Sequence, residues 1–234
     1  MKLGIFTDPH CCAADRLCEI RRPVLSMGKL RETMEYFVRE GADAVICLGD
    51  VLNIWGTQEE MNACLDETAA LLKGYGLPVL CCPGNHDCEI FTKEEFARRS
   101  GFICSPSCLD MGGVRLILLD ANYFSDGESY TPARSDWTDT FIPEMEMERL
   151  KKALDTDLDC HIFLHQVLDP DIDRYHQVSN GAQVRKILTA AGNVRGVWQG
   201  HYHFGGENII DGIPYHILPA VCTEEENPRV LAEL

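Results

Sequence analysis

The sequence predicts an α/β fold built on largely parallel strands. Short apolar runs alternate with amphipathic stretches of helical spacing, the rhythm of β-α-β units joined by right-handed crossovers. Successive runs end in Asp, His or Asn, and loops at the carboxyl ends of parallel strands converge on one edge, where such folds place ligands. At 234 residues, with no repeat, low-complexity tract or linker, the chain fits a single domain over 1–234.

Leu3 to Thr7 reads as a central strand ending at Asp8-Pro9-His10, where proline blocks further pairing. Leu30, Met34, Phe37 and Val38 mark a helix over 26–40, with Ser26 as N-cap and Gly41 as stop. Ala44 to Leu48 is a second buried strand, ending in Gly49-Asp50. Met61, Cys64, Leu65, Thr68, Leu71 and Leu72 mark a second helix, stopped by Gly74. The run Leu77 to Cys82 is a third strand, ending in Gly84-Asn85-His86-Asp87. Taken alone, that polar stretch reads as a hydrogen-bonded turn in which Asn85 and Asp87 tie their own backbone.

A short helix follows over 92–99, then a less regular segment rich in Ser, Cys and Pro. Val114 to Leu119 is a strand, and residues 123–141 are a long loop with Tyr123, Tyr130, Arg134 and Trp137. Pro143 suits the first position of a helix whose apolar face is Met147, Leu150 and Leu154. Cys160 to Leu164 is a strand ending in His165. After a second polar loop, Ser179 or Asn180 caps a helix with Val184, Ile187, Leu188 and Ala191 inward. Val194 to Gln199 is a strand ending in Gly200-His201-Tyr202-His203, and short strands at 205–210, 214–218 and 229–233 finish the chain.

Composition excludes several classes. The net charge of −16 argues against a general nucleic-acid surface, which needs clustered Lys and Arg. Carboxylates that ligate cations account for part of the acidic excess; the rest is a solvated surface. The twelve cysteines include adjacent pairs and members of apolar runs, with no C-x-x-C, so they read as buried hydrophobes in a reducing compartment. No signal peptide or membrane-length apolar run is present, which points to a cytoplasmic protein.

Five strand ends thus carry side chains suited to divalent metal: Asp8, His10, Asp50, Asn85, His165, His201 and His203. A lone strand-end histidine is commonly a satisfied surface or core residue, and Asp50 alone could cap a helix. The β-α-β rhythm gathers all seven, which independent structural roles do not explain.

These residues resemble the calcineurin-like metallophosphoesterase superfamily over nearly the whole chain. Its D-x-H is Asp8-Pro9-His10, its G-D is Gly49-Asp50, and its G-N-H-[DE] is Gly84-Asn85-His86-Asp87. Its lone histidine is His165, and its G-H-x-H is Gly200-His201-Tyr202-His203. The resemblance implies a four-layer α-β-β-α sandwich with two mixed sheets flanked by helices. It also implies two divalent ions (Mn, Fe, Zn, Ni or Co), one held by Asp8, His10 and His203, the other by Asn85, His165 and His201, with Asp50 bridging. Such a pair acidifies a shared water and aims it at phosphorus, while His86 protonates the leaving oxygen.

Many family members read G-D-x-x-[DN], often followed by Arg-Gly, whereas this stretch is Gly49-Asp50-Val51-Leu52-Asn53-Ile54-Trp55. Asn53 can bond the His86 ring but adds no charge to it. The missing arginine removes a phosphate clamp of the protein-phosphatase type. Arg22, the helix starting near Ser26, Ile142-Pro143 and Asn180 look more like the cyclic-nucleotide phosphodiesterase and ADP-ribose/CDP-alcohol diphosphatase branch. The implied partner is a small phosphoester, with a nuclease or protein phosphatase as alternatives and a non-catalytic scaffold disfavoured by the intact motifs. Trp55, Tyr123, Tyr130, Trp137 and Tyr175 could stack on a planar group or pack the loops, and Arg134, Arg174 and His176 are candidate anion contacts. Cys11, Cys12 and Cys88 lie near ligands in sequence and read as packing residues that could make the site oxidation-sensitive. Oligomeric state has no signature in the sequence.

Overall fold

The computed structural model describes every residue except Glu19 and 224–226. The first sheet contains β1 (Lys2–Phe6), β2 (Ala44–Cys47), β3 (Val79–Cys81), β4 (Ile103–Cys104) and β11 (Val230–Glu233), in the order β11-β1-β2-β3-β4. The second contains β5 (Ser107–Met111), β6 (Val114–Leu118), β7 (Asp159–Leu164), β8 (Val194–Gln199), β9 (Gly206–Ile210) and β10 (Ile213–Ile217), in the order β5-β6-β7-β8-β10-β9. Pairing is parallel in the centre of each sheet and antiparallel for β11, β5 and β9. Both sheets are therefore mixed.

The alternation of side chains along each strand explains the layering. Leu3, Ile5, Ala44, Ile46 and Leu80 face the second sheet and meet Leu116, Leu118, Phe163 and Trp198. The opposite face of the first sheet, with Phe6, Val45 and Cys47, is covered by α1 (Ser26–Arg39), α2 (Gln58–Lys73) and α4 (Lys93–Ser100). Leu30, Met34 and Phe37 from α1 are fully buried there, each contributing about 1.5–3 kcal/mol by its removal from water. Ile117, Ile162, Leu164 and Val197 on the outer face of the second sheet meet α5 (Glu144–Leu154) and α6 (Gly181–Ala191). The four layers are those expected. No helix among the described residues is long and apolar enough to cross a membrane.

Several local expectations are corrected. Gly84 to Asp87 is not a simple turn: it opens α3 (Asn85–Ile90), and Asp87 accepts from the N–H groups of Gly84, Val51 and Leu52 at 2.9, 3.2 and 3.1 Å. Ser26 does not cap α1, because a 3-10 turn over Pro23–Leu25 precedes it and its hydroxyl donates to Pro9 O. Pro143 is the N-cap of α5 rather than its first residue. Ser179 donates to Thr140 O at 2.7 Å, and Asn180 brackets the Ile142 backbone with both ends of its amide at 3.0 and 2.7 Å. Asn180 is the N-cap residue of α6, as one of the two expected alternatives, but its side chain and that of Ser179 fasten the backbone at Thr140 and Ile142 instead of hydrogen-bonding the helix start. The segment expected to be irregular holds β4 and β5, whose half-exposed Ser, Cys and Asp residues give little strand signal.

Gly4 is required by a close approach. A Cβ there would lie 2.5–2.7 Å from three atoms of the Phe37 ring. Gly4→Ala is expected to cost about 1–3 kcal/mol in urea unfolding through overpacking, and less in a Phe37→Leu background. Equal costs in the two backgrounds would contradict the contact.

Candidate metal centre

All seven sequence-predicted ligands gather at the carboxyl ends of the strands. Asp8 and His10 follow β1, Asp50 follows β2, Asn85 opens the helix after β3, His165 follows β7, and His201 and His203 follow β8. The turns are fixed by backbone bonds, among them Asp8 N to Gly49 O at 3.0 Å, His10 N to Asp50 O at 2.9 Å and Gly200 N to His165 O at 2.9 Å. Asp8, His10, Asp50 and His201 have φ of 51°, 45°, 49° and 65°. Left-handed backbone costs a non-glycine residue about 1–2 kcal/mol, and short polar side chains tolerate it best.

The donor atoms form two groups that share one carboxylate oxygen. In the first, His10 Nε2 lies 3.1 Å from His203 Nε2, 3.6 Å from Asp8 Oδ1 and 3.5 Å from Asp50 Oδ2, while His203 Nε2 lies 3.3 Å from Asp8 Oδ1. In the second, His165 Nε2 lies 3.4 Å from Asp50 Oδ2 and 3.1 Å from His201 Nδ1. Ligands about 2.1 Å from one ion lie roughly 3.0–3.5 Å from each other, so both groups have the spacing of a coordination shell. Asp8 Oδ1 and Asn85 Oδ1 are buried without a hydrogen-bond partner. Each such orphan costs about 1–3 kcal/mol unless a cation satisfies it. The residues fit divalent metal.

Neighbours orient the ligands. His165 Nδ1 donates to Leu48 O at 2.8 Å, which turns Nε2 inward. Thr7 Oγ1 and His201 N donate to Asp8 Oδ2 at 2.5 and 3.0 Å, leaving Oδ1 free. His86 N donates to Asp50 Oδ1 at 2.9 Å, leaving Oδ2 between the two groups. A Cβ on Gly84 would meet Asp50 Oδ1 at 2.1 Å, so only glycine admits the carboxylate. Buried Asn122 donates to Pro83 O at 2.6 Å and accepts from Gln166 at 2.7 Å, tying the turn before Asn85 to the residue after His165.

Electrostatics reflect two buried carboxylates among imidazoles. Burial disfavours charge on Asp8 and Asp50, yet His165 and other nearby histidines hold both low. Burial likewise opposes a charged His165, but Asp50 and Asp8 outweigh it and lift the ring to about 10. Burial drives His10 down to about 3 and His201 well below its ordinary range, the latter aided by His165. Burial and Asp50 push Asp87 up, against three backbone N–H donors.

Several neighbours of the site are placed by tertiary folding rather than by the local sequence pattern. His86 does not bond Asn53 as expected; among the described residues Asn53 instead accepts from Arg21 Nη1 at 3.0 Å. The same Nη1 lies 3.1 Å from His86 Nε2. Glu89 Oε2, one turn along α3, lies 3.2 Å from His86 Nδ1, near enough for an ion pair but without hydrogen-bond alignment. Burial lowers the His86 pKa, and Asp50 and Glu89 raise it on balance. Cys222 Sγ lies within ligand reach of His10 and His203, with a thiol that burial and then Asp8 push up to about 12. Nothing in the sequence between Pro9 and the helix at Ser26 separates Arg21 from the neighbouring Arg22.

The remaining candidates separate cleanly. Trp137, His176 and Phe204 join Arg21, Asn85 and His86 around a cleft of about 400 Å³ over the ligands. Trp55 lines a neighbouring cavity beyond Asn53, Tyr130 is buried against Phe124, and Tyr123 lies under Lys93 Nζ at 3.8 Å. Arg134 pairs with Asp126 and Arg174 with the Tyr175 hydroxyl, so neither lines the cleft. All twelve cysteines are free; burial raises the thiols of Cys11, Cys12 and Cys88, which makes them packing residues of low reactivity.

In the metal-free protein, His165 holds a proton below about pH 10 that an entering ion must displace. Its raised pKa stabilises the metal-free fold below its ordinary 6.5, and that stabilisation is lost as pH rises through about 10. Metal uptake by chelator-stripped protein is therefore expected to release protons into weak buffer and to weaken as pH falls from about 8 to 6. Uptake without proton release would contradict the pairing.

The fold recurs in solved structures. A dimetal phosphatase from Danio rerio superposes with a TM-score of 0.83 at 18% identity, covering 100% of this chain and 92% of that one. The TT1561 protein of Thermus thermophilus gives 0.63 at 11% identity, covering 94% and 90%. The phosphopantetheinyl hydrolase of Mycobacterium tuberculosis gives 0.58 at 12% identity, covering 99% and 95%. The family model for calcineurin-like phosphoesterases matches residues 1–205. With that match and this fold, the chain belongs to the calcineurin-like phosphoesterase family, hydrolases acting on phosphoester bonds.

Proposed function

We propose that this protein is a dinuclear metal-dependent phosphohydrolase acting on small phosphoesters, nucleotide-derived ones among them. The observation that carries this is the sharing of Asp50 Oδ2 by two groups of donors at coordination spacing. Asp8, His10 and His203 would hold one ion, Asn85, His165 and His201 the other, with Asp50 between them. Ions so placed supply Lewis acidity for the phosphoryl oxygens and for an attacking water. The all-N/O donor set suits Mn, Fe, Zn, Ni or Co.

The chain's own residues do the rest. Asp50 is oriented by the His86 N–H, so the loop carrying the proton donor also sets the bridging carboxylate. His86 faces the cleft with Glu89 behind Nδ1, which supports an imidazolium able to protonate a leaving oxygen. Asn53 keeps Arg21 beside that ring. A net charge of −16 and a cleft with one guanidinium among the described residues favour a small substrate over a nucleic acid, which binds by many phosphate contacts. Twelve free thiols fit a reducing compartment such as the cytoplasm.

A hydrolysis screen with bis-p-nitrophenyl phosphate, p-nitrophenyl phosphate and a nucleotide panel against several divalent metals is expected to show turnover that chelation abolishes. Purified protein that takes up no divalent metal would remove the proposal. His86→Ala should keep its metal while losing about 100-fold or more in kcat on the diester, the usual size of a general-acid contribution. Turnover unchanged by that substitution would remove His86 from the chemistry.

A further inference from the structure

The cleft contains one side chain whose position the metal chemistry does not explain. Arg21 is the one lysine or arginine lining it among the described residues. Its backbone is anchored on both sides: Leu17 and Arg21 exchange N–H···O bonds at 3.0 and 3.2 Å, and Arg22 N donates to Cys222 O at 2.6 Å. Arg22 turns the other way and pairs with Asp15 at 2.8 Å. Arg21 is thus held at the rim by fixed backbone while its side chain crosses to Asn53 and His86.

Those two contacts use a single nitrogen, Nη1. A guanidinium has five N–H donors in a planar fork, so most of its capacity, including Nη2, is free of hydrogen bonds among the described residues. It cannot accept a hydrogen bond, so His86 Nε2 is the acceptor at 3.1 Å and carries no proton toward Arg21 in this arrangement. Asp8 and Asp50 are the anionic members of the candidate ligand set, and an incoming phosphate finds no other lysine or arginine in the cleft among the described residues.

We propose that Arg21 is the phosphate-positioning residue of this cleft, supplied by the loop after β1 where the Gly49-Asp50 loop carries no arginine. In the free protein it rests on Asn53 and His86. When its fork takes the oxygens of a phosphate, His86 Nε2 is released from Arg21, takes up a proton from solvent and faces the leaving group as an imidazolium. Asn53 serves as the parking contact: its amide oxygen accepts from Arg21, and as a neutral group it competes weakly with a phosphate for the same donors. The identity of the anion rests on the phosphohydrolase reading above.

The test is calorimetric titration of inorganic phosphate and vanadate into metal-loaded wild type, Arg21→Ala, Arg21→Gln and Arg21→Lys. Metal content and thermal unfolding are measured on each, and KM and kcat on bis-p-nitrophenyl phosphate. Removing a charge-assisted bidentate contact is expected to weaken phosphate binding about 10–100-fold in the Ala and Gln variants with metal content unchanged. Lys should fall between, because it offers a point charge without the fork. KM should rise more than kcat falls, and added guanidinium ion should restore part of the affinity in Arg21→Ala. Phosphate affinity within about twofold of wild type in both Ala and Gln would overturn the proposal. So would a loss of bound metal that parallels the loss of phosphate. If wild type turns over no ester with any metal, the phosphohydrolase reading fails, and the phosphate titrations still decide the role of Arg21.

Discussion

The carboxylate of Asp50 is the constraint that the rest of the site obeys. One oxygen is fixed by the His86 N–H and the other lies between two sets of imidazoles, so the orientation of a single side chain decides whether the sets act together. It fits only because Gly84 has no Cβ, and because Asp50 itself turns left-handed at the end of β2. Asp87 then holds the loop of Val51 and Leu52 against the start of α3, so the two segments that must approach Asp50 are bound to each other. Burying Asp50 beside Asp8 stores repulsion that the proton on His165 offsets in the metal-free protein.

Backbone strain concentrates where the strands end. Four of the candidate ligands lie in left-handed backbone, a sharp turn at the end of each strand. Such a set persists only where the surroundings over-determine it. Here the strands beneath are fully buried between the sheets or under helices, and their ends cannot relax independently.

What the sequence reveals follows from how local each signal is. Asp8, His10, Asp50, Asn85, His165, His201 and His203 each follow an apolar run, so strand periodicity alone places them on one edge. The four-layer arrangement comes with the family resemblance rather than with periodicity. Glu89 is within reach, since it lies one helical turn from His86, but the helix that presents it has the composition of a turn. Arg21 and Cys222 arrive through loops with no periodic pattern, and only tertiary folding sets their distances to His86 and His10. β4 and β5 are hidden for another reason: they are edge strands, β4 only two residues long and β5 nowhere fully buried, so their polar residues give little strand signal.

The candidate ligands are divided between the two sheets: Asp8, His10, Asp50 and Asn85 follow strands of the first, His165, His201 and His203 strands of the second. Each three-residue set proposed for one ion draws on both. Bound metal would therefore clasp the sheets together at their carboxyl edge, reinforcing the apolar layer between them. By mass action, free metal at 100 times its dissociation constant adds about 2.7 kcal/mol per independent site to the folded state. Metal supply would then govern how long the molecule survives as well as how fast it works, and a cell short of the ion would lose the protein along with its activity.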